Sequence, residues 1–378
     1  MKLLVLYQAR DAEKDQPGYY DGFQRLVREG VLEVHLAIPY YGVSEARGWD
    51  AVWTDAYEIA RQVEADAVFL QFFHGPIPDP TKGIQRLKGL PSRPTLFTSL
   101  GDPFGQWTKQ VPNCFRIASA LSDVTFLTGM GYLARQLGRL GSKNLVLMPN
   151  GCCQVRFSGQ AGTIFAQPEF EVTFVGSRIR SRNPLSHFYW VSRKRVEFVG
   201  AFTKRYGRQF GLSGNGWIGN PSWQGPISYT GQHDAYHRSA VALGGMPNGY
   251  HDYYTSDRVF IAVASGVPFV DHWLPGVDQI LKPDRDWWLA HNIKEMFTLC
   301  DTLLEMPNSD RVCWGQVARE RILAHHTQYH RCAEMIEIVS TLREARLSGH
   351  NAAKPELRFL FDSRDAGTTP DSIVGWDG

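Results

Sequence analysis

Short apolar runs alternate with helical patterns through the first 150 residues, and that alternation leaves few folds open. Lys2–Tyr7, Leu32–Ile38, Ala67–Phe73, Thr95–Leu100, Val124–Thr128 and Asn144–Met148 read as strands. Tyr19–Glu29, Trp49–Glu64, Thr81–Gly89, Phe115–Leu121 and Gly131–Leu140 read as the helices between them. Strands regularly interrupted by helices indicate βαβ units and a parallel sheet. Such sheets bind ligands beyond the carboxyl ends of their strands, which singles out His74 and Gly101-Asp102-Pro103. The pattern pauses in Ser158–Phe170, rich in glycine and poor in periodicity, and then restarts. Strands are expected at Glu171–Val175, Gln209–Ser213, Ile227–Thr230 and Ala240–Leu243, with helices at Val191–Arg205, Gln232–Arg238, Ile293–Glu305 and Arg311–Glu344. The fold class is therefore α/β, with two Rossmann-like domains spanning residues 1–160 and 161–345 and a tail over 346–378. The tail is expected to be an extended arm or disordered.

At 378 residues and 43% hydrophobic, the chain can build two cores. A formal charge of +2 gives no reason to expect a nucleic-acid partner, and no apolar run is long enough to span a membrane. The six cysteines contain no Cys-x-x-Cys pair, so neither a metal site nor a disulfide framework is expected, and the cytoplasm is the expected location.

The densest local signals lie in Tyr253–His272. Thr255 and Ser256 resemble an N-cap, Asp257 complements the positive end of a helix, Arg258 sits in its first turn, and Gly266 stops it. A helix start carrying a guanidinium suits a phosphate, although a capped surface helix would look the same. Upstream, Gly176-Ser177-Arg178 follows a strand, as a diphosphate loop would. Arg178, Arg180, Arg182, Arg193, Lys194, Arg195, Lys204, Arg205 and Arg208 are opposed in that window only by Glu197, and a basic helix face can simply be solvated. Gly214-Asn215-Gly216-Trp217-Ile218-Gly219 matches a dinucleotide-binding pattern, but Asn220-Pro221 stands where its helix should begin. Trp217 can stack on a base or fill a core. His326 and His330 have metal-ligand spacing without a third ligand, which favours a structural role.

Together these segments resemble CgeB-like glycosyltransferases, a group with the two-Rossmann GT-B fold. The resemblance rests on Ser256–Gly266 with Leu274–Ile280, Val175-Gly176-Ser177, Arg195–Phe198, Gly214–Trp217 and His326–Arg331, and on Asp102-Pro103 and Leu147–Gly151 in the first half. It implies a nucleoside-diphosphate sugar as co-substrate in the second domain, an acceptor hydroxyl held by the first, and transfer across the cleft between them. Gly176, Ser177, Arg178, Ser256, Asp257 and Arg258 would hold the diphosphate end, and Gly216 and Trp217 would lie near the nucleotide. His74 and Asp102 are the candidate bases, each with a plain alternative as a loop histidine or an Asp-Pro turn. The resemblance implies no metal and no further cofactor.

One departure stands out. The family carries an acid where this chain has Ile261, and related enzymes carry a second where it has Tyr253. Either Asp257 or Asp271 takes over, or the chemistry is weakened. A non-catalytic sugar-nucleotide-binding protein and a sugar-nucleotide epimerase therefore stand as alternatives to the transferase.

Overall fold

Two parallel sheets, joined by crossings near residues 150 and 327, carry the architecture. A computed structural model describes residues 1–104, 109–157, 167–178, 181–245, 251–360 and 372–377. The first sheet comprises β1 (Lys2–Tyr7), β2 (Val34–Pro39), β3 (Ala67–Leu70), β4 (Thr95–Leu100), β5 (Val124–Leu127) and β6 (Leu145–Leu147). The second comprises β7 (Phe170–Val175), β8 (Phe210–Ser213), β9 (Trp223–Gly225), β10 (Ser239–Leu243), β11 (Phe269–His272) and β12 (Trp288–Ala290). A final strand, β13 (Ile373–Val374), returns antiparallel to β6, so the sheet orders are β13-β6-β5-β4-β3-β1-β2 and β12-β11-β10-β7-β8-β9. Strand order reverses between β1 and β3 in the first sheet and between β7 and β10 in the second. Those two switch points are where ligands of open α/β sheets bind, and their loops carry Gln8 and His74 on one side and Gly176 and Gly244 on the other.

The strands β3 to β6 are buried along their whole length, as sheets covered on both faces require. A single buried apolar cluster runs from Leu3 and Phe126 through Cys152 and Phe157 to Val259 and Ile322, so the two halves share a core. The crossings are laced together: Cys152 N–H donates to His326 O at 2.8 Å, and Gln328 N–H donates to Cys152 O at 2.8 Å. Gly151 permits this approach, since a Cβ there would lie 2.8 Å from the Thr327 carbonyl carbon. The last helix, Gln328–Ser348, then packs on the first domain's Pro17–Arg28 helix, where Gly22 leaves a Cβ only 3.1 Å from Tyr329 Cα.

Four expectations need correction. Ile227–Thr230 is a loop, because Pro226 ends the edge strand at Gly225, and that loop brings Tyr229 to the cleft. β12 has no counterpart in the sequence reading. The expected helix Arg311–Glu344 is two helices, Asn308–His325 and Gln328–Ser348, separated where the Thr327 hydroxyl and the His330 imidazole form a capping box. The described parts of the tail are extended but packed: Ala352, Leu357 and Phe359 are buried and Trp376 donates its indole N–H to Ala352 O at 2.9 Å. The pause at residues 158–166, together with Arg180 and Trp107, lies outside the described residues.

Burial of neutral imidazoles makes stability depend on pH. His35, His233, His272 and His330 are held down to about 4 chiefly by burial, and burial also holds His326 well below its ordinary value. The unfolded chain protonates these groups near pH 6.5, before the folded one does, so they remove stability as pH falls from about 6.5 toward 4. Burial acts the other way on Asp271, raised to about 6, and Glu334, raised to about 7, which lose stability as pH rises through those values. Five histidines outweigh two carboxylates, so the denaturant midpoint is expected to fall steadily between pH 6.5 and 4. A flat or rising midpoint in that interval would contradict these burial assignments.

Candidate functional site

The second domain's hollow, roughly 230 Å³, is built at the carboxyl ends of β7, β10 and β11 and at the start of the Asp257–Ala264 helix. Arg195, Gly245, Ser256, Arg258, Asp271, His272 and Trp287 line it. Ser256 occupies the N-cap in extended conformation but makes no side-chain cap, leaving the first turn uncapped. Arg258 reaches back over Phe174, with its guanidinium carbon 5.5 Å from the ring centre. Gly176 is needed beneath it, because a Cβ there would lie 2.7 Å from the Phe174 ring and 3.6 Å from Arg258 Nη2.

Arg195 is the residue that sequence reasoning passed over. It donates through Nη1 to Ser177 O at 2.6 Å, and burial first, then the nearby Arg258 cation, pull its pKa down to about 10. The Nε atoms of Arg178, Arg195 and Arg258 are buried without hydrogen-bond partners, and none of the three enters an ion pair among the described residues. Two guanidinium groups side by side, neither in an ion pair among the described residues and with the buried Asp271 the carboxylate that Arg258 acts on, suit an anion. Arg195 stands three, four and seven residues before Phe198, Val199 and Phe202, all buried, so its place on the inward face was legible in the helical period. In the same basic window, Arg193 and Lys194 are exposed and Arg205 pairs with Asp301.

The Gly176–Arg178 loop is held by residues 214–217. Arg178 N–H donates to Asn215 O at 2.8 Å, Asn215 N–H to Ser177 Oγ at 3.2 Å, and the Trp217 indole to Gly176 O at 2.7 Å. Gly216, at φ 85°, would place a Cβ 2.8 Å from Arg178 O. Trp217 is only 3% exposed. It fastens the loop from the core side, the core-filling one of the two readings the sequence left open. Gly216 serves the same support.

Tyr254 and Asp257 line both this hollow and a larger cleft of about 360 Å³ that faces the first domain. Asp257 is held by the Tyr229 hydroxyl at 3.2 Å. On the opposite wall are Gln8, Asp15, Phe72, His74 and Asp102, with Asn150 and Gln328 at the crossings. Both expected base candidates thus meet in one cleft. His74 packs on Phe104 with ring centres 5.5 Å apart. Its pKa is lowered by burial, partly offset by Asp102 and reinforced by Lys109, so it is neutral at pH 7. Asp102 is half exposed and lies 3.8 Å from Lys109 Nζ.

Ile261 and Tyr253 are packed in the core, at 1% and 7% exposure, and neither position supplies a carboxylate. The carboxylates at this end of the helix are Asp257 and Asp271. His326 and His330 are structural: His326 Nδ1 accepts from Arg331 at 2.9 Å, and His330 Nδ1 accepts from the Thr327 hydroxyl at 2.7 Å. No group of metal-ligating side chains occurs among the described residues.

Solved structures share this two-domain arrangement. The chain is similar to sucrose-phosphate synthase from Thermosynechococcus elongatus, with a TM-score of 0.55 and 11% identity over 91% of this chain and 100% of that one. It is similar to Anabaena HepE, solved with UDP and glucose, at 0.54 and 12% over 90% and 100%. It is also similar to an alpha-glucosyltransferase solved with UDP and a 13-mer DNA containing an HMU base, at 0.59 and 9% over 90% and 99%. No curated protein matches in sequence. The fold is GT-B. Residues 193–337, which include Arg195, Asp257 and Arg258, match the family model described as glycosyl transferase-like.

Proposed function

We propose that the chain is a glycosyltransferase that moves a sugar from a nucleoside diphosphate to a hydroxyl acceptor without a metal, as the CgeB-like resemblance implies, and that it works in the cytoplasm, as its cysteine pattern suggests. The observation that carries this reading is the pair Arg195 and Arg258, their Nε atoms buried without hydrogen-bond partners, beside Gly176 and an uncapped helix start. Departure of the sugar leaves growing negative charge on the diphosphate, and fixed guanidinium and N–H groups stabilise it at the moment it forms. These cations supply the charge that a divalent ion would otherwise bring. The six free thiols support a reducing compartment. Two of the similar structures hold UDP, which makes uridine the first base to test.

His74 is the favoured base, since a neutral imidazole at the cleft wall can take a hydroxyl proton at pH 7. Transfer is expected to rise with pH through a midpoint below 6.5 and to be level near neutrality. His74→Ala is expected to lower kcat by roughly 100-fold or more while nucleotide affinity is retained. A screen of UDP-, GDP- and TDP-sugars with acceptor mixtures, followed by these pH profiles, tests the reading; an unchanged kcat in the variant would remove His74 from the chemistry. The apolar packing of Ile261 and Tyr253 favours a second reading, a sugar-nucleotide-binding protein without transfer. Binding of a donor that is neither transferred nor hydrolysed would support it.

A further inference from the structure

A second hollow, roughly 650 Å³, adjoins the cleft on the first domain and shares Gln8 and Asp15 with it. Trp49 and Tyr41 line it together with Arg10, Ser44 and Glu45. Trp49, half-buried at the start of the Trp49–Val63 helix, packs against Tyr40 at 5.8 Å and Tyr41 at 6.3 Å between ring centres. The floor is rigid: Tyr41 N–H donates to Ala9 O at 3.0 Å, and Gly42 is required because a Cβ there would lie 2.3 Å from Arg10 O. Tyr41 also donates its hydroxyl to His74 O at 3.2 Å, which ties the hollow to the loop of the candidate base. Gly75, at φ 117°, leaves room for that hydroxyl, 2.6 Å from where a Cβ would stand.

We propose that the acceptor is a glycan of at least two sugar units, with its terminal hydroxyl in the cleft near His74 and its next unit seated on Trp49 and Tyr41. The proposal rests on the glycosyltransferase reading. A pyranose presents C–H bonds that pack on aromatic faces and hydroxyls that pair with carboxylates, amides and guanidinium groups, and both kinds of partner are present. Glu45 and Arg10 form an exposed pair at the rim, with Arg10 Nε 2.8 Å from Glu45 Oε2. An apolar natural product would need an enclosed, mostly hydrophobic pocket instead. Of the first-half aromatics with described positions, Tyr40 and Trp53 belong to the packing: Tyr40 is fully buried and Trp53 lies over Gly83.

Saturation-transfer NMR with glucose, N-acetylglucosamine, maltose, cellobiose and diacetylchitobiose, each with UDP present, tests this. At least one disaccharide is expected to bind about tenfold or more tightly than its monosaccharide. Trp49→Ala and, on the exposed rim, Glu45→Ala are expected to reduce that disaccharide's affinity to the monosaccharide level while leaving UDP affinity unchanged. Equal affinity for both lengths, no effect of either variant, or no saccharide binding beside bound UDP would each overturn the proposal. Failure of every nucleoside diphosphate to bind, with disaccharide preference intact, would count against the transferase reading alone.

Discussion

Arg258→Ala is expected to weaken nucleoside-diphosphate binding by roughly 10- to 100-fold, and Arg195→Ala by a similar factor, while the unfolding midpoint stays level or rises. A hydrogen bond to a charged group is worth about 1.5–3 kcal/mol, and each 1.4 kcal/mol is tenfold in affinity. The absence of a stability loss follows from the same geometry. The two cations are half-buried beside each other, and desolvation together with Arg258 already pulls the Arg195 pKa down to about 10. Deleting one relieves that repulsion in the unliganded protein. Calorimetry with UDP and with uridine separates the effects, because only the diphosphate should sense the change. Arg258→Lys is expected to recover only part of the affinity, since an ammonium lacks the planar donor fork. Unchanged UDP affinity in both alanine variants would remove this pair from the donor site.

Arg331→Ala is expected to destabilise the folded protein by about 3–5 kcal/mol, the range for breaking a buried charged network. Arg331 is fully buried beneath the crossings. It donates through Nε to Pro149 O at 3.0 Å and through Nη2 to His326 Nδ1 at 2.9 Å. It also faces the buried Glu334, whose pKa burial raises to about 7 while Arg331 pulls the other way. Truncation therefore leaves acceptors unpaired, an acid without its counter-ion, and a void beside Phe359, whose ring centre is 4.8 Å from the guanidinium carbon. Arg331→Met keeps most of the volume and is expected to cost less, more clearly below pH 7, where Glu334 can take up a proton. Guanidinium denaturation of both variants checks this; a loss under about 1 kcal/mol in the alanine variant would show that the crossings do not depend on this residue.

Much of the fold was legible because its signals are local. Nine of the ten strands expected from apolar runs are present, and the helix Asp257–Ala264 was placed from its cap, its apolar face and Gly266. His74 and Asp102 were placed at strand ends by the rule for parallel sheets, and both line the cleft. The break at His326-Thr327 was missed because no glycine or proline interrupts residues 316–348, and only the capping box marks the new start. Trp217 stayed open between base and core for a different reason: a tryptophan after glycines reads alike whether it meets a base or a backbone carbonyl 41 residues away.

The alternation of strand and helix, the glycine-bearing loop at Gly176–Arg178 and the helix start at Ser256 were therefore set by residues close in sequence, whose conformational preferences act over a few bonds. Which groups share a site was decided by the tertiary structure. Arg195 and Arg258 become neighbours and Tyr229 reaches Asp257 because the second sheet gathers its strand ends, and His74 and Asp102 share a cleft with Asp257 because the two sheets turn their switch points toward each other. Burial and charge proximity depend on chain segments far apart in sequence, and those quantities turn a basic stretch into an anion site.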